Sequence, residues 1–243
     1  MALATVTIPV RDVEAVKEGR ANAVEMIPMQ KMASKMWPVL TTMGVMIVAA
    51  AFVVGIINSF NVADFFGETK AVREATTNSD IGSAMAVKAW LPGMKFFGLG
   101  LMLGGITMLL ATILGNLRIA GANVQAALGG EVILPRPPMI AKIFPMLMIT
   151  GMMILLAAMI ISAWLGTVAG DVWGRSIATE INVAEEGSAL LARLGTLNAV
   201  SAWLAPFKFV GMAVLFSGIA LALATIVTVL RFQARRLVEI ASK

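Results

Sequence analysis

Methionine is the most abundant potential metal ligand in this sequence, because its thioether sulfur binds soft cations such as Cu(I). The chain holds 18 methionines, and four of them recur at spacings of three and four residues: Met26, Met29, Met32 and Met36. Residues at these spacings share one side of a helix. Methionine also fills irregular gaps where apolar helices pack. No Cys or His accompanies the cluster, so we interpret it as a packing surface and keep copper handling as an alternative.

Two lysine–tryptophan pairs are candidates for contact with lipid or another anion. Trp90 precedes Lys95, and Trp203 precedes Lys208, each by five residues, and each lysine stands immediately before a long apolar run. A lysine at such a position extends its ammonium to the lipid headgroups, while a tryptophan anchors the interface. The same ammonium is able to bind a lipid phosphate or a free anion. We favour the first interpretation, expect bound membrane lipid, and predict no other cofactor.

The residue types that are absent exclude most catalytic chemistry. The chain has no Cys, no His and no Tyr, so it lacks thiolate ligands, disulfides and the commonest general base and metal ligand. Its hydroxyl side chains stand in no motif with a neighbouring base or a phosphate-binding loop. Lysines and arginines beside anionic lipid explain the net charge of +5 without nucleic acid. We therefore predict no catalytic residue, no metal site and no enzymatic activity.

Four long apolar runs must position these residues. Of the 243 residues, 59% are apolar and 14% are charged, and the mean hydropathy is +0.88. The stretches without any charge are 36–63, 96–117, 143–170 and 209–230. At about 1.5 Å per residue, a helix of even the shorter runs spans a hydrocarbon core of about 30 Å. Continuous runs exclude the alternating strands of a barrel, so the predicted fold is an all-α integral membrane protein with four transmembrane helices.

The two halves of the chain share landmarks at two nearly equal offsets. An offset of 107 residues aligns the first runs of the halves, pairing Lys35 with Lys142 and Pro38 with Pro145. An offset of 113 aligns the second runs, including the two lysine–tryptophan pairs. Shared hydrophobicity does not readily produce matches of Trp, Lys and Pro. We interpret the halves as two tandem homologous hairpins, which is a parallel internal repeat.

Small residues in the second and fourth runs predict close helix contacts. Six glycines are candidates: Gly98, Gly100, Gly104, Gly105, Gly211 and Gly218. Because glycine has no side chain, helix backbones are able to approach one another at these positions in lipid. The contacts lie either within the four-helix bundle or against another subunit, and we favour the first interpretation.

The placement of basic residues indicates the orientation. Twelve of the 19 Lys and Arg residues lie in the N-terminal segment, the middle connection and the tail, and seven lie in the two hairpin loops. This bias predicts that both termini are cytoplasmic, and we expect a prokaryotic inner or intracytoplasmic membrane. We divide the chain into a cytoplasmic amphipathic segment (1–34), a first hairpin (35–118, outer loop 61–94), a cytoplasmic connection (119–141), a second hairpin (142–231, outer loop 168–207) and a basic tail (232–243).

Periodicity predicts further elements outside the membrane. Apolar residues between Pro9 and Pro28 predict an amphipathic helix, and residues 135–138 predict a short extended stretch. In each outer loop, apolar residues at helical spacing (81–91 and 190–204) predict an interfacial helix that runs into the next span. Three leucines of the second stretch are candidates for partner contact, with burial against lipid headgroups as the alternative: Leu190, Leu194 and Leu197.

These features predict a non-catalytic accessory or scaffold subunit that packs against the helices of other integral membrane subunits. A passive channel or facilitator for a small solute is the alternative function. No ionisable residue lies inside an apolar run and no proline lies at its centre, which argues against ion-coupled transport. The spans offer scattered hydroxyls that are able to bond their own helix backbone, such as those of Thr107, Thr112 and Thr225.

Overall fold

Four long helices make up most of the described chain. The computed structural model describes residues 5–8, 13–75, 79–128, 131–135, 140–175 and 180–242. In chain order the elements are β1 (Thr5–Ile8), α1 (Val13–Lys17), α2 (Pro28–Gly67), α3 (Lys70–Ala75), α4 (Ser79–Ala127), β2 (Val132–Pro135), α5 (Ile140–Trp173) and α6 (Ala189–Ala241). Four of them, α2, α4, α5 and α6, are long and apolar enough to cross a membrane. The predicted helical membrane protein with four transmembrane helices is confirmed.

Helices α4 and α6 are much longer than the charge-free runs that predict them. They contain 49 and 53 residues and include the stretches 81–91 and 190–204. These stretches are therefore the first turns of the long helices themselves. Pro92 and Pro206 lie inside α4 and α6 without ending them. A proline removes one backbone hydrogen bond from a helix interior, and both helices continue through that loss.

Contacts within the chain separate two compact units. Unit 1 contains Met1–Thr41, Leu103–Ile149 and Val214–Lys243, and unit 2 contains Thr42–Met102 and Thr150–Ala213. Every long helix therefore supplies residues to both units.

A two-stranded ladder in unit 1 joins the N-terminal segment to the connection after α4. Strands β1 and β2 pair antiparallel, with Val6 opposite Leu134. Gln125 of α4 accepts a hydrogen bond from the N–H of Ile133 at 2.9 Å and donates one to its carbonyl oxygen at 3.3 Å. The ladder belongs to a buried cluster: Val16, Val24, Ala122, Ala126, Val132 and Leu134. Of the predicted extended stretch 135–138, the first residue ends β2 and the others lie outside the described residues.

The N-terminal segment is less helical than its apolar spacing predicts. Of residues 13–27, only α1 is helical, and Gly19 follows it with a φ of 72°. This left-handed conformation favours glycine and ends the helix. Farther along, Asn123 of α4 accepts a hydrogen bond from the N–H of Ala23 at 2.8 Å and donates one to Asn22 at 2.9 Å. Hydrogen bonds to α4 therefore hold a segment for which the sequence predicts one amphipathic helix.

The core of unit 2 lies between α4, α5 and α6. Its buried cluster comprises Ala158, Leu165 and Leu204. Helices α4 and α5 meet closely where glycines face each other, because a Cβ on Gly82 would lie 2.8 Å from the carbonyl oxygen of Gly170. Phe96 of α4 contacts Phe209 of α6 edge to face, with ring centroids 5.2 Å apart. Three directly packed helices thus position the residues described next.

Candidate functional site

The six glycines predicted to support close packing all occupy buried positions. In unit 2, a Cβ on Gly98 of α4 would lie 3.2 Å from the carbonyl oxygen of Gly44 in α2. In unit 1, a Cβ on Gly105 of α4 would overlap the hydroxyl of Thr41 in α2. At these positions the close neighbour is another helix of the same chain.

The two lysine–tryptophan pairs occupy different environments, although the predicted repeat relates them. Lys95 is exposed, whereas 5% of the Lys208 surface is accessible. Trp90 packs against Gly166 of α5, whereas Trp203 is 45% exposed. An exposed lysine and an exposed tryptophan fit the interfacial interpretation. Lys208 does not, because its side chain is enclosed by the protein.

Lys208 lies in a cleft of about 420 Å³ between α4, α5 and α6 of unit 2. Six of the lining residues define its walls: Lys88 and Pro92 from α4, Leu165 and Trp173 from α5, and Ser201 and Lys208 from α6. Small-molecule sites in proteins typically have volumes of about 300–1,000 Å³. The cleft is therefore large enough to hold a ligand of headgroup size.

Lysine supplies all the charge in this cleft. The described residues that line it include Lys88 and Lys208 and no Asp or Glu. Neither ammonium forms a hydrogen bond or an ion pair with another described residue. Apart from the hydroxyl of Ser201 and the indole of Trp173, the remaining lining is apolar. Removing an ammonium from water without a counter-charge is unfavourable, so the chemistry of the cleft suits an anion.

Ion pairs connect charged side chains of the second outer loop with those of α5 and α6. Asp171 pairs with Arg175 at 3.5 Å and also with Arg193, and Arg175 pairs with Glu180 at 3.2 Å. These side chains are 37–52% accessible, so each pair adds little stability by itself. Arginines therefore bind both of these loop carboxylates. Neither carboxylate serves as a counter-ion for the lysines of the cleft.

The three leucines predicted for partner contact lie in the first turns of α6 and are half-buried. Leu197 packs against the buried cluster of unit 2 and also lines the cleft. Its apolar surface is therefore partly used within the chain. Leu190 and Leu194 are the better positions at which to detect an external contact.

The start of α2 divides the methionine cluster. The helix begins at Pro28, so Met29, Met32 and Met36 lie on it and Met26 precedes it. The three helical methionines are 39–57% exposed. Met26 therefore does not share the helical face that the sequence predicts for all four.

A smaller cavity of about 60 Å³ lies in unit 1 and is lined by Gln30, Arg118 and Gln233, among others. Gln233 donates a hydrogen bond to the carbonyl oxygen of Leu117 at 2.6 Å. The Oε1 atom of Gln30 is buried and has no hydrogen-bond partner among the described residues. The lining is mostly apolar, but a cavity of this size with several polar side chains has room for a few waters. We assign it no ligand larger than water.

The three threonines named for the spans bond their own helices, whereas the buried hydroxyl of Ser162 in α5 has no hydrogen-bond partner among the described residues. Thr107, Thr112 and Thr225 each donate to the carbonyl oxygen four residues earlier, at 2.8–3.0 Å. The local bonding predicted for these threonines is confirmed. Their hydroxyl protons are therefore not available to a solute.

Comparison with known proteins assigns no function. No protein-family model, no curated protein and no solved structure matches this chain.

Lys88 is a site residue that sequence reasoning misses, because in the sequence it is one of several charged residues of the first outer loop. The available signal is local: Met85, Lys88 and Pro92 share one face of a helix by their spacing. That spacing does not reveal which part of α6 lies opposite. Only the packing of α4 on α6 brings Lys88 and Lys208 to one cleft.

Proposed function

We propose that this chain is a non-catalytic accessory or scaffold subunit of a larger integral membrane complex. The observation that carries the proposal is the outward face of α2. Within the most apolar 18-residue window of each helix, the buried share is 11% in α2 and 39% in α4. The buried residues of α2 are Gln30, Ala33, Gly44 and Ala51. A helix with so narrow a buried side leaves most of its apolar surface available to other helices.

Exposed residues surround most of α2, and one line of them, taken in alternating steps of four and three residues, is rich in methionine. The stripe consists of Met32, Met36, Val39, Met43, Met46, Ala50, Val53, Ile57 and Phe60. A stripe with a mean period of 3.5 residues stays in contact with a neighbouring helix that crosses it with a left-handed twist. Four of the nine residues are methionines, whose flexible side chains adapt to a partner surface. The methionine content of this stripe supports a partner helix on this face, whereas its spacing does not single it out, since a second line at the same steps from Lys31 to Phe66 is also exposed.

A passive channel or facilitator is the rival function. A path for a polar solute requires hydroxyls, amides or charges that face it. The described threonines at 107, 112 and 225 bond their own helices, which favours the subunit over the channel. Copper handling is less supported, since Met26 lies outside α2 and Met32 and Met36 belong to the packing stripe.

Site-specific photo-crosslinking in native membranes tests the proposal. A photoreactive amino acid in place of Met46, which is 66% exposed on the stripe, is expected to crosslink to a second membrane protein. The matched control is Ile149 of α5, which is 58% exposed and lies off the stripe. We expect a discrete protein adduct at the first position and lipid adducts at the second. Lipid adducts alone at both positions would contradict the proposal.

Purification in a mild detergent separates the two functions. The subunit proposal expects the chain to migrate with larger membrane proteins on a native gel. The channel alternative expects an assembly of this chain alone that mediates solute flux after reconstitution in liposomes. Observing that flux from the isolated chain would rule out the subunit proposal.

The proposal includes two tandem hairpins with both termini in the cytoplasm, and the absence of native Cys makes this orientation testable. Val183 in the second outer loop is 65% exposed, and Leu128 after α4 is 56% exposed. With an impermeant maleimide, Val183→Cys is expected to react only from outside and Leu128→Cys only from the cytoplasmic side. The reverse pattern would refute the orientation.

A further inference from the structure

The proposed function leaves the buried lysine of unit 2 unexplained. Lys208 is 5% exposed, and no described residue provides it with a hydrogen bond or a counter-charge. Arginines bind the carboxylates of Asp171 and Glu180 in the adjoining loop. A buried ammonium is retained in a membrane protein when an anion or a polar partner stabilises it. The partner is therefore to be sought outside the described chain.

The lining of the cleft indicates the class of ligand. Lys88 and Lys208 offer two ammonium groups, whereas Leu165, Ala169 and Leu204 contribute apolar wall. An inorganic anion would leave the apolar wall without contacts. A wholly apolar molecule would leave both ammonium groups unpaired. An amphiphile with an anionic head satisfies both parts of the lining.

The position of the cleft along the chain matches the level of lipid headgroups. Lys208 directly precedes the charge-free run 209–230, and Lys88 lies eight residues before the run that begins at Phe96. Lysines that flank an apolar run stand at the boundary between hydrocarbon and headgroups. The phosphate of a membrane lipid lies in this boundary region.

We propose that the cleft binds the phosphate group of an anionic membrane lipid. Lys208 and Lys88 contact its oxygens as cations, whereas the hydroxyl of Ser201 already donates to the carbonyl oxygen of Asn198 at 3.0 Å and supplies no proton to the lipid. Lysine binds phosphate as a compact charge and requires no planar geometry. The site does not depend on a partner helix at α2, so it holds whether or not the chain is a subunit of a complex.

Lys95 provides the matched control for this site. It has the same residue type as Lys208 and the corresponding place in the predicted repeat, but it is exposed and does not line the cleft. Lys95→Met and Lys208→Met remove the same charge from the chain. Any effect of net charge on lipid binding is therefore equal in the two variants, and only the cleft distinguishes them.

Native mass spectrometry of the delipidated full chain in a neutral detergent measures lipid binding directly. Phosphatidylglycerol and phosphatidylcholine are titrated separately against the original chain, Lys208→Met, Lys88→Met and Lys95→Met. We expect one phosphatidylglycerol to bind the original chain in preference to phosphatidylcholine. Loss of a charge-assisted hydrogen bond is expected to weaken this binding at least about tenfold in Lys208→Met. Lys95→Met is expected to bind within about twofold of the original chain, because an exposed charge outside the cleft contributes little.

Thermal unfolding adds a second readout. Phosphatidylglycerol is expected to raise the Tm of the original chain and of Lys95→Met, and to raise that of Lys208→Met much less. Without lipid, Lys208→Met is expected to unfold at the same or a higher temperature than the original chain, because it has no unpaired buried charge. If Lys208→Met does not fold, Lys88→Met makes the same test at an exposed position.

Three outcomes would overturn the inference. Equal binding of phosphatidylglycerol by the original chain, Lys208→Met and Lys88→Met would show that the cleft is not the site. Equal binding of phosphatidylcholine would show that the anion is not recognised. A rise in Tm with inorganic phosphate as large as that with phosphatidylglycerol would assign the cleft to a free anion instead of a lipid.

Discussion

Replacing Gly44 by leucine is expected to destabilise the chain by about 3 kcal/mol or more, because overpacking at a backbone contact cannot be relieved by a side-chain rotation. A Cβ at this position would lie 2.7 Å from the carbonyl oxygen of Gly98 and 2.8 Å from the amide nitrogen of Met102. Leucine adds three more carbons beyond that Cβ. Helices α2 and α4 would have to separate to admit them. Denaturant unfolding of the purified chain in detergent measures the loss.

The same substitution at Gly195 is the matched control. Gly195 lies in α6, and nothing stands within 4 Å of a Cβ built there. Leucine is a better helix former than glycine by roughly 0.8 kcal/mol, so Gly195→Leu is expected to unfold at the same or a higher denaturant concentration. Equal destabilisation by both substitutions would mean that the contact between α2 and α4 is not the cause.

The glycine pattern illustrates how far packing could be predicted from the sequence. All six candidate glycines are buried. Positions that the predicted repeat matches nevertheless differ in how closely a neighbouring helix approaches them. A Cβ on Gly105 would overlap Thr41, whereas a Cβ on Gly218 would lie 3.4 Å from the carbonyl oxygen of Phe144, an ordinary contact. Residue type shows where helices are able to approach. How closely they do so depends on the partner surface, which lies far away in the sequence.

The transmembrane helices were predictable because hydropathy is a local property. A run without charge that is long enough to cross the hydrocarbon core has few alternatives to a helix, since every backbone group must be satisfied within it. Helix ends were less predictable. Residues 79–95 of α4 carry charges but continue the helix, because nothing about a charged residue at a membrane boundary requires the helix to stop.

The cleft lined by Lys88 and Lys208 could not be predicted because these two lysines belong to different predicted hairpins. The lysines that the repeat does match give no indication of it. Lys95 and Lys208 look alike in the sequence, with the same tryptophan five residues before them. The structure encloses one and exposes the other. Burial of Lys208 results from α4 and α5 packing around that part of α6, a tertiary property for which a single sequence carries no direct signal.

The pairing of β1 with β2 was also missed, and for a related reason. Each strand has four residues, and more than 120 residues separate them. Short strands carry little periodic signal. The hydrogen bonds that fix β2 on α4 come from one buried side chain, Gln125. A single glutamine in a helix is not a sequence signal for the attachment of a strand.

That glutamine supports the second prediction, since Gln125→Leu is expected to lower the free energy of unfolding by about 2 kcal/mol by leaving backbone groups without partners. Gln125 is 1% exposed and binds both the N–H and the carbonyl oxygen of Ile133. Leucine has a similar size but offers neither a donor nor an acceptor. Hydrogen–deuterium exchange of the Ile133 amide is expected to accelerate together with the loss in stability, because that amide loses its acceptor.

Gln30→Leu is the matched control in the same unit. Gln30 is 6% exposed, and its Oε1 has no hydrogen-bond partner among the described residues. Leucine there removes a buried acceptor that is already unsatisfied, so the variant is expected to be as stable as the original chain or more stable. If Gln30→Leu destabilised the chain as much as Gln125→Leu, the hydrogen bonds to Ile133 would not be the cause. The attachment of β2 to α4 would then depend on the apolar cluster around Val132 and Leu134.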